Sequence, residues 1–195
     1  MKRRWLVGLV LGTAAGTLWL WQRERATGEV SWAIKYAVMR GTQPARLVCG
    51  RARAPWARRF YALLAPVYDL TLLNMPGYRQ AAQDLIERLE VGPEDTALDL
   101  GCGTGLLTLP LAERARRAVG LDLSLAMLGK LAAKAARQGL AIELREGSVL
   151  DLPFADGEFT VVTTAFTLLY LTPKEKQRAM AEIHRVLAPG GWCLS

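Results

Sequence analysis

A chain of 195 residues, 51% hydrophobic and 22% charged, can bury one α/β core with appendages and is too short for several domains. Its three cysteines, Cys49, Cys102 and Cys193, are odd in number and scattered, and with a single histidine they make neither a metal-ligand pattern nor a disulfide framework, so a reducing compartment is the simplest reading. The net charge of +7 belongs to an arm: residues 1–60 hold 12 Lys/Arg against Glu24 and Glu29, a balance of +10, and the remainder is −3, which argues against a nucleic-acid-binding body.

The chain opens "MKRRWLVGLVLGTAAGTLWLWQRER", uncharged from Trp5 to Trp21. A helix over residues 6–21 rises roughly 24 Å, against a hydrocarbon core of roughly 30 Å. Trp5 at one end and Trp19 and Trp21 at the other suit headgroup depth, and Arg4 and Arg23 extend the reach by snorkelling. The pattern predicts an uncleaved, single-pass anchor over residues 1–25. A signal peptide is the rival, although no small-x-small cleavage site follows, and a re-entrant or interfacial helix is a third reading. Gly8, Gly12 and Gly16 line one face, a spacing that lets two membrane helices pair as a homodimer. The alternative is that glycine is simply common in such helices.

Residues 26–59 have little periodicity and several Arg, Pro and Gly, and read as a basic juxtamembrane linker or short helices on a membrane surface. Residues 60–92 read as a helical cap: "PWARRFYALLAPVYDLTLL" is amphipathic with a break at Pro66, "NMPG" is a turn, and Tyr78 to Leu89 is a helix with Ala82, Leu85, Ile86 and Leu89 on one face. From residue 93 strands and helices alternate. "TALDL" is a strand entering a glycine turn. Leu106 to Arg116 is a helix with Pro110 in its first turns, and "AVGLD" is a second strand. Ser124 caps a helix that ends at Gly139. "AIELRE" and "FTVVTTAF" are the third and fourth strands. Thr172 and Glu175 form a capping box with Pro173 at the first helical position. That helix stops before Pro189, carries an apolar stripe of Met180, Ile183 and Leu187 with His184 beside it, and leads to a fifth strand at "GGWCLS". The alternation predicts a doubly wound parallel sheet of Rossmann-like class, with ligands at the carboxyl ends of its strands.

The glycine turn is "LDLGCGTGLL". Gly101, Gly103 and Gly105 are spaced G-x-G-x-G, and Leu106 stands where a dinucleotide fingerprint needs its third glycine, which disfavours a nicotinamide oxidoreductase. No Gly-Lys-Ser/Thr ending makes a phosphate-binding P-loop. Asp99, two residues before the first glycine, is expected at the mouth of the site, where a carboxylate repels a pyrophosphate but accepts a hydrogen bond from an ammonium. Asp122 ends the second strand about 20 residues on, where an acid takes ribose hydroxyls. The ligand should therefore carry a cationic head and a ribose.

In "LDLGCGTG", "VGLDLSLAML", "LPFADGEFTVV" and "IHRVLAPGG", in that order over Thr96–Ser195, the chain resembles the class I S-adenosylmethionine-dependent methyltransferases. The resemblance implies an S-adenosylmethionine-binding domain over residues 93–195. Asp99 and the backbone of Gly101, Cys102, Gly103 and Gly105 would hold the methionine end. Asp122 would take both ribose hydroxyls, Leu123 and Met127 would pack on adenine, and Ser148 and Val149 would border it. Thr164, in the fourth strand, would also meet the cofactor. The family often has an aspartate at the position of Ser148, and Phe-Asp where this chain has Phe159-Thr160. Met127 and Leu128 at helical spacing also fit plain core residues, Asp151 a loop cap, and His184 no catalytic role. No residue is singled out as a catalytic base. The family's sheet continues past the fifth strand, so the chain is expected to be a fragment of a longer protein.

The stretch "YALLAPVYDLTLLNMPGYR" is similar to the segment before the cofactor domain in methyltransferases of quinone biosynthesis and phospholipid headgroups, with Tyr61 and Tyr68 as candidates to cover the cofactor. The implied activity is methyl transfer to a small, lipid-soluble acceptor, and the implied partners are membrane lipids. The alternative is a membrane-tethered scaffold that binds the cofactor without turning it over. Lys2, Arg3 and Arg4 pull the N-terminus inside, whereas the longer run from Arg23 to Arg59 pulls the other end inside. A cytosolic cofactor favours the second, with the catalytic domain facing the cytoplasm.

Overall fold

The computed structural model describes residues 54–71, 84–88, 90–168 and 171–194. The expected anchor, its glycine face and most of the basic linker lie outside the described residues, as does most of the expected Tyr78–Leu89 helix, of which 84–87 is helical. Among the described residues, no helix is long and apolar enough to cross a membrane.

The elements run α1 (Ala54–Thr71), β1 (Thr96–Leu100), α2 (Thr108–Ala112), β2 (Arg117–Asp122), α3 (Leu125–Gln138), β3 (Glu143–Glu146), β4 (Phe159–Thr163), α4 (Pro173–Val186) and β5 (Leu187–Leu194). The strands form one sheet in the order β3-β2-β1-β4-β5, and every pairing is parallel. The chain winds outward from β1 in one direction and then returns to β4 on its other side. The carboxyl ends of β1 and β4 therefore flank the switch point, where such a sheet opens a crevice.

Both faces of the sheet are covered at its centre, which is why β1, β2 and β4 read as largely apolar runs rather than alternating ones, while the edge strand β3 is polar. Leu98, Leu100, Val119, Leu121, Phe159 and Val162 meet Ala179, Ile183 and Val186 of α4 on one face. On the other face Ala97, Ala118 and Val161 meet Leu111, with Ile86, Trp192 and Leu194 packed against them. Thr160 explains the departure from Phe-Asp. Its hydroxyl donates to Asp95 Oδ1 (2.8 Å) and accepts from the Thr96 amide (3.0 Å), and Thr96 Oγ1 accepts from the Thr160 amide (3.2 Å). This stitches the amino ends of β1 and β4 together. An aspartate could not donate, and would set a second carboxylate against Asp95.

The capping box of α4 is present, with both reciprocal bonds made, and Gly139 ends α3 in the left-handed region. Four local expectations are corrected. Helix α2 is confined to Thr108–Ala112, with turns on either side rather than helix from Leu106 to Arg116. Ser124 occupies the N-cap position of α3, but its side chain makes no capping bond. Met180 is 47% exposed, and the buried stripe of α4 is Ala179, Ile183 and Val186: Ile183 is as expected, while Ala179 and Val186 take the places expected for Met180 and Leu187. Strand β5 begins at Leu187, not at Gly190, and its ladder to β4 is interrupted so that Phe159 pairs with Leu187 while Val161 pairs with Trp192. The "APGG" turn is taken up inside the strand as this irregularity.

Candidate active site

The loop leaving β1 is bound to β2 by its own backbone. The amides of Gly101 and Cys102 both donate to the Leu121 carbonyl (2.7 and 3.1 Å), and the Gly105 amide donates to the Cys102 carbonyl (2.9 Å). The Gly103 amide donates to Asp122 Oδ2 at 2.9 Å. Gly101 and Gly105 have φ of 69° and 95°. A Cβ at Gly101 would lie 2.0 Å from Thr167 Oγ1, and one at Gly105 would lie 2.3 Å from Leu131 Cδ1. Gly105→Ala therefore meets both a forbidden backbone angle, about 1–3 kcal/mol, and an occupied space, about 1–3 kcal/mol more. Urea unfolding should show a loss of that combined order, and a loss under about 0.5 kcal/mol, the range of a neutral surface change, would mean the loop relaxes freely.

Asp122 organises the other wall. Its Oδ1 accepts from the Ser124 amide (2.8 Å) while Oδ2 holds Gly103. Burial pushes its carboxyl up, and the amides of Ser124, Gly103 and Leu123 pull against that. One carboxylate thus sets the distance between the glycine loop and the start of α3, and each oxygen keeps a second lone pair for a ligand hydroxyl.

Asp99 is not at the mouth. It is 3% exposed, the fourth of the five residues of β1 and flanked on both sides by strands. Its Oδ2 accepts from Thr108 Oγ1 (2.6 Å) and its Oδ1 from Thr163 Oγ1 (2.9 Å). Burial raises its carboxyl from the ordinary 3.8 to about 6, with the two threonine hydroxyls opposing and Asp122 adding to the rise. Asp99 acts on the site as a charge beneath the floor. Cys102 is also part of the framework: its thiol packs with Leu128 and Leu131, and burial pushes it well above the usual thiol range. Met127 is buried, and Val149 joins the main core with Leu98 and Leu121.

The remaining expected residues gather at the carboxyl edge of the sheet. Leu123 is half-buried, and its carbonyl accepts from Arg58 Nε of α1 (3.1 Å). Ser148 follows β3, and its hydroxyl accepts from the Leu150 amide (3.2 Å). Thr164 follows β4, 2% exposed, with its amide donating to the Leu194 carbonyl. Close by, Phe166 holds a left-handed φ of 63°, a strained conformation that clusters at binding sites. Tyr61 and Tyr68 lie two turns apart on α1, half-buried, with ring centroids 6.4 Å apart in an edge-on arrangement. The sequence did not single out Thr108, Thr163, Thr104, Arg58, Asp69 or Lys134, whose partners lie between 9 and 65 residues away.

Two buried hydroxyls, Ser124 Oγ and Thr164 Oγ1, have no hydrogen-bond partner among the described residues. A buried unmatched hydroxyl is unfavourable by about 1–3 kcal/mol. These two sit just past the carboxyl ends of β2 and β4, on either side of β1, where a polar ligand laid across the switch point would meet both. Among the described residues no cluster of His, Cys, Asp or Glu could hold a metal ion.

Residues 97–191 match the family described as methyltransferase domain. This segment belongs to the class I S-adenosylmethionine-dependent methyltransferases. The domain is similar to a demethylmenaquinone methyltransferase of Thermus thermophilus, 43% identical over 138 residues, covering 67% of this chain and 60% of that protein. An uncharacterized methyltransferase of Synechocystis is 36% identical over 136 residues, covering 70% and 62%. The chain thus spans about three-fifths of the length of these curated relatives. Among solved structures, DhpI in complex with SAM and HEP superposes with a TM-score of 0.60 at 27% identity, covering 74% of this chain and 64% of that one. S-adenosylmethionine is the cofactor of this methyltransferase class, and the site fits its needs: an acid for a ribose, a glycine loop, a buried negative charge and two unmatched hydroxyls.

Proposed function

We propose that the chain is a membrane-anchored methyltransferase that moves the methyl group of S-adenosylmethionine to a small lipid-soluble acceptor, a quinone precursor or a phospholipid headgroup. The observation that carries this reading is the 43% identity to a protein named demethylmenaquinone methyltransferase. Bound S-adenosylmethionine would supply a methyl on a sulfonium, already a strong leaving group. The work of the protein is then chiefly to position the two reactants in line. Asp122 would fix the ribose, and Ser148 would offer adenine a hydroxyl without charge, where many relatives offer a carboxylate. The Gly101–Gly105 backbone would hold the methionine end, with Asp99 lowering the energy of its cationic groups from below. Ser124 and Thr164 would gain the hydrogen bonds they lack. A phenol or enol acceptor would in addition give up its proton to a base or water.

The basic residues from Arg23 to Arg59, apart from Arg58, which pairs with Glu146, would rest on an anionic inner leaflet, each near the surface contributing on the order of 1 kcal/mol. Anchor and arm together would hold Tyr61, Tyr68 and the crevice at headgroup depth on the cytoplasmic side. Deleting residues 1–25 should leave cofactor binding nearly unchanged and cut turnover of a bilayer-embedded acceptor, while a short-chain soluble analogue is methylated as before. Equal losses on both acceptors would give the segment a role in folding instead. The substrate itself is tested by incubating the full chain with methyl-labelled S-adenosylmethionine and membrane extract and identifying the labelled lipid. Cofactor binding without any labelled product would favour the inactive scaffold.

A further inference from the structure

Helix α1 crosses the carboxyl edge of the sheet and is fastened at both ends. Near its start, Arg58 reaches the Leu123 carbonyl and pairs with Glu146 at 2.8 Å. Eleven residues on, about 16 Å along the helix axis, Asp69 is held by a three-way polar contact. Its Oδ1 accepts from Thr104 Oγ1 at 2.5 Å, and its Oδ2 pairs with Lys134 Nζ at 2.7 Å. Lys134 Nζ also donates to the Thr104 carbonyl at 2.9 Å. Thr104 is the residue between Gly103 and Gly105, at the crest of the glycine loop, and is 2% exposed. Both of its polar groups, hydroxyl and carbonyl, are therefore gripped from outside the loop by residues of α1 and α3. The glycines on either side leave the loop little stiffness of its own.

We propose that Asp69 and Lys134 are positioning residues for the cofactor: through Thr104 they fix the glycine loop in its ligand-holding shape and pin α1 across it, so that release of a bound nucleoside requires this contact to open. The proposal rests on the cofactor reading above. The Asp69 and Lys134 side chains are 38% and 22% exposed, so their pairing weakens with salt, but less than a fully solvated pair would.

The test measures displacement of labelled S-adenosylhomocysteine from the full chain in detergent, with melting temperature recorded alongside. Asp69→Asn, Lys134→Met and Thr104→Val should each speed dissociation about tenfold, the range of one partly screened charged hydrogen bond. The Asp69→Asn/Lys134→Met pair should be less than additive, because both remove the Asp69–Lys134 ion pair, although Lys134→Met also removes the bond to the Thr104 carbonyl. Dissociation from the unaltered chain should quicken with salt, and that from Asp69→Asn should not. Dissociation within twofold of the unaltered chain, additive effects in the pair, or equal salt dependence would each overturn the proposal. Should Asp69→Asn fail to fold, Lys134→Gln gives the same rate and salt comparison. An unaltered chain that takes up no S-adenosylhomocysteine overturns the cofactor reading as well, a result distinct from normal uptake with unmoved rates.

Discussion

Asp122→Asn should weaken S-adenosylmethionine binding at least tenfold in calorimetry. The asparagine keeps one acceptor oxygen and replaces the other by a donor. It can satisfy the amide of Gly103 or of Ser124 but not both, and it offers a ribose one acceptor in place of two. Each charged hydrogen bond lost contributes about 1.5–3 kcal/mol. Asp122→Ala goes further: both amides lose their acceptor, at about 1–3 kcal/mol each where they stay buried, so its melting temperature falls as well. Comparing the two variants separates ligand contact from loop support. Unchanged affinity in Asp122→Asn would remove Asp122 from the ribose site.

Asp99→Asn should make the empty protein more stable at neutral pH and a poorer binder. The Asp99 carboxyl titrates at about 6 in the fold and near 3.8 in its ordinary state. The raised value means that folding takes up a proton. Its favourable contribution is full below pH 4 and is lost as the pH climbs through 6, a span of about 3 kcal/mol. Asparagine does not titrate, so the advantage of Asp99→Asn over the unaltered chain should grow from pH 4 to pH 7 in urea unfolding and then level off. A cationic ligand favours the ionised carboxylate. S-adenosylmethionine affinity of the unaltered chain should accordingly rise across pH 5 to 7 with proton release, and that of Asp99→Asn should stay lower and flat. Affinity independent of pH in the unaltered chain would mean that Asp99 does not sense the ligand.

The sheet was legible because a strand covered on both faces leaves a local mark: "TALDL" and "AVGLD" are mostly apolar without alternation, and the Thr172–Glu175 box announces α4 in four residues. Asp122 was placeable too, since the end of the second strand is a position fixed by counting from the glycines. The depth of Asp99 was not, because it depends on β2 and β4 flanking β1, and the Thr163 that helps to hold it is 64 residues away. Ser124 has the right type and position for a cap, but its hydroxyl is buried without making the capping bond, and nothing local in the sequence shows that. On α4, ranking side chains by hydrophobicity favours Met180, whereas close contact with the sheet admits the small Ala179, which turns the buried face while Ile183 stays within it. The grip of Asp69 and Lys134 on Thr104 joins three segments of ordinary polar composition, so no window of sequence contains it.

Several glycines of this domain serve as sockets for other side chains. A Cβ at Gly120, in the middle of β2, would stand 3.0 Å from the Cys102 sulfur, just as Gly101 faces Thr167 and Gly105 faces Leu131. At Gly120 the absent side chain is matched by present ones from other segments, so the unit of tolerated change there is the pair, whereas at Gly101 and Gly105 the left-handed backbone bars a side chain whatever its neighbour does. An alanine at position 120 becomes acceptable when residue 102 shrinks, and a larger residue at 102 demands that 120 stay bare. Variation here is epistatic: single steps are blocked while the paired step is open, which makes the loop and the strand beneath it drift through sequence space together.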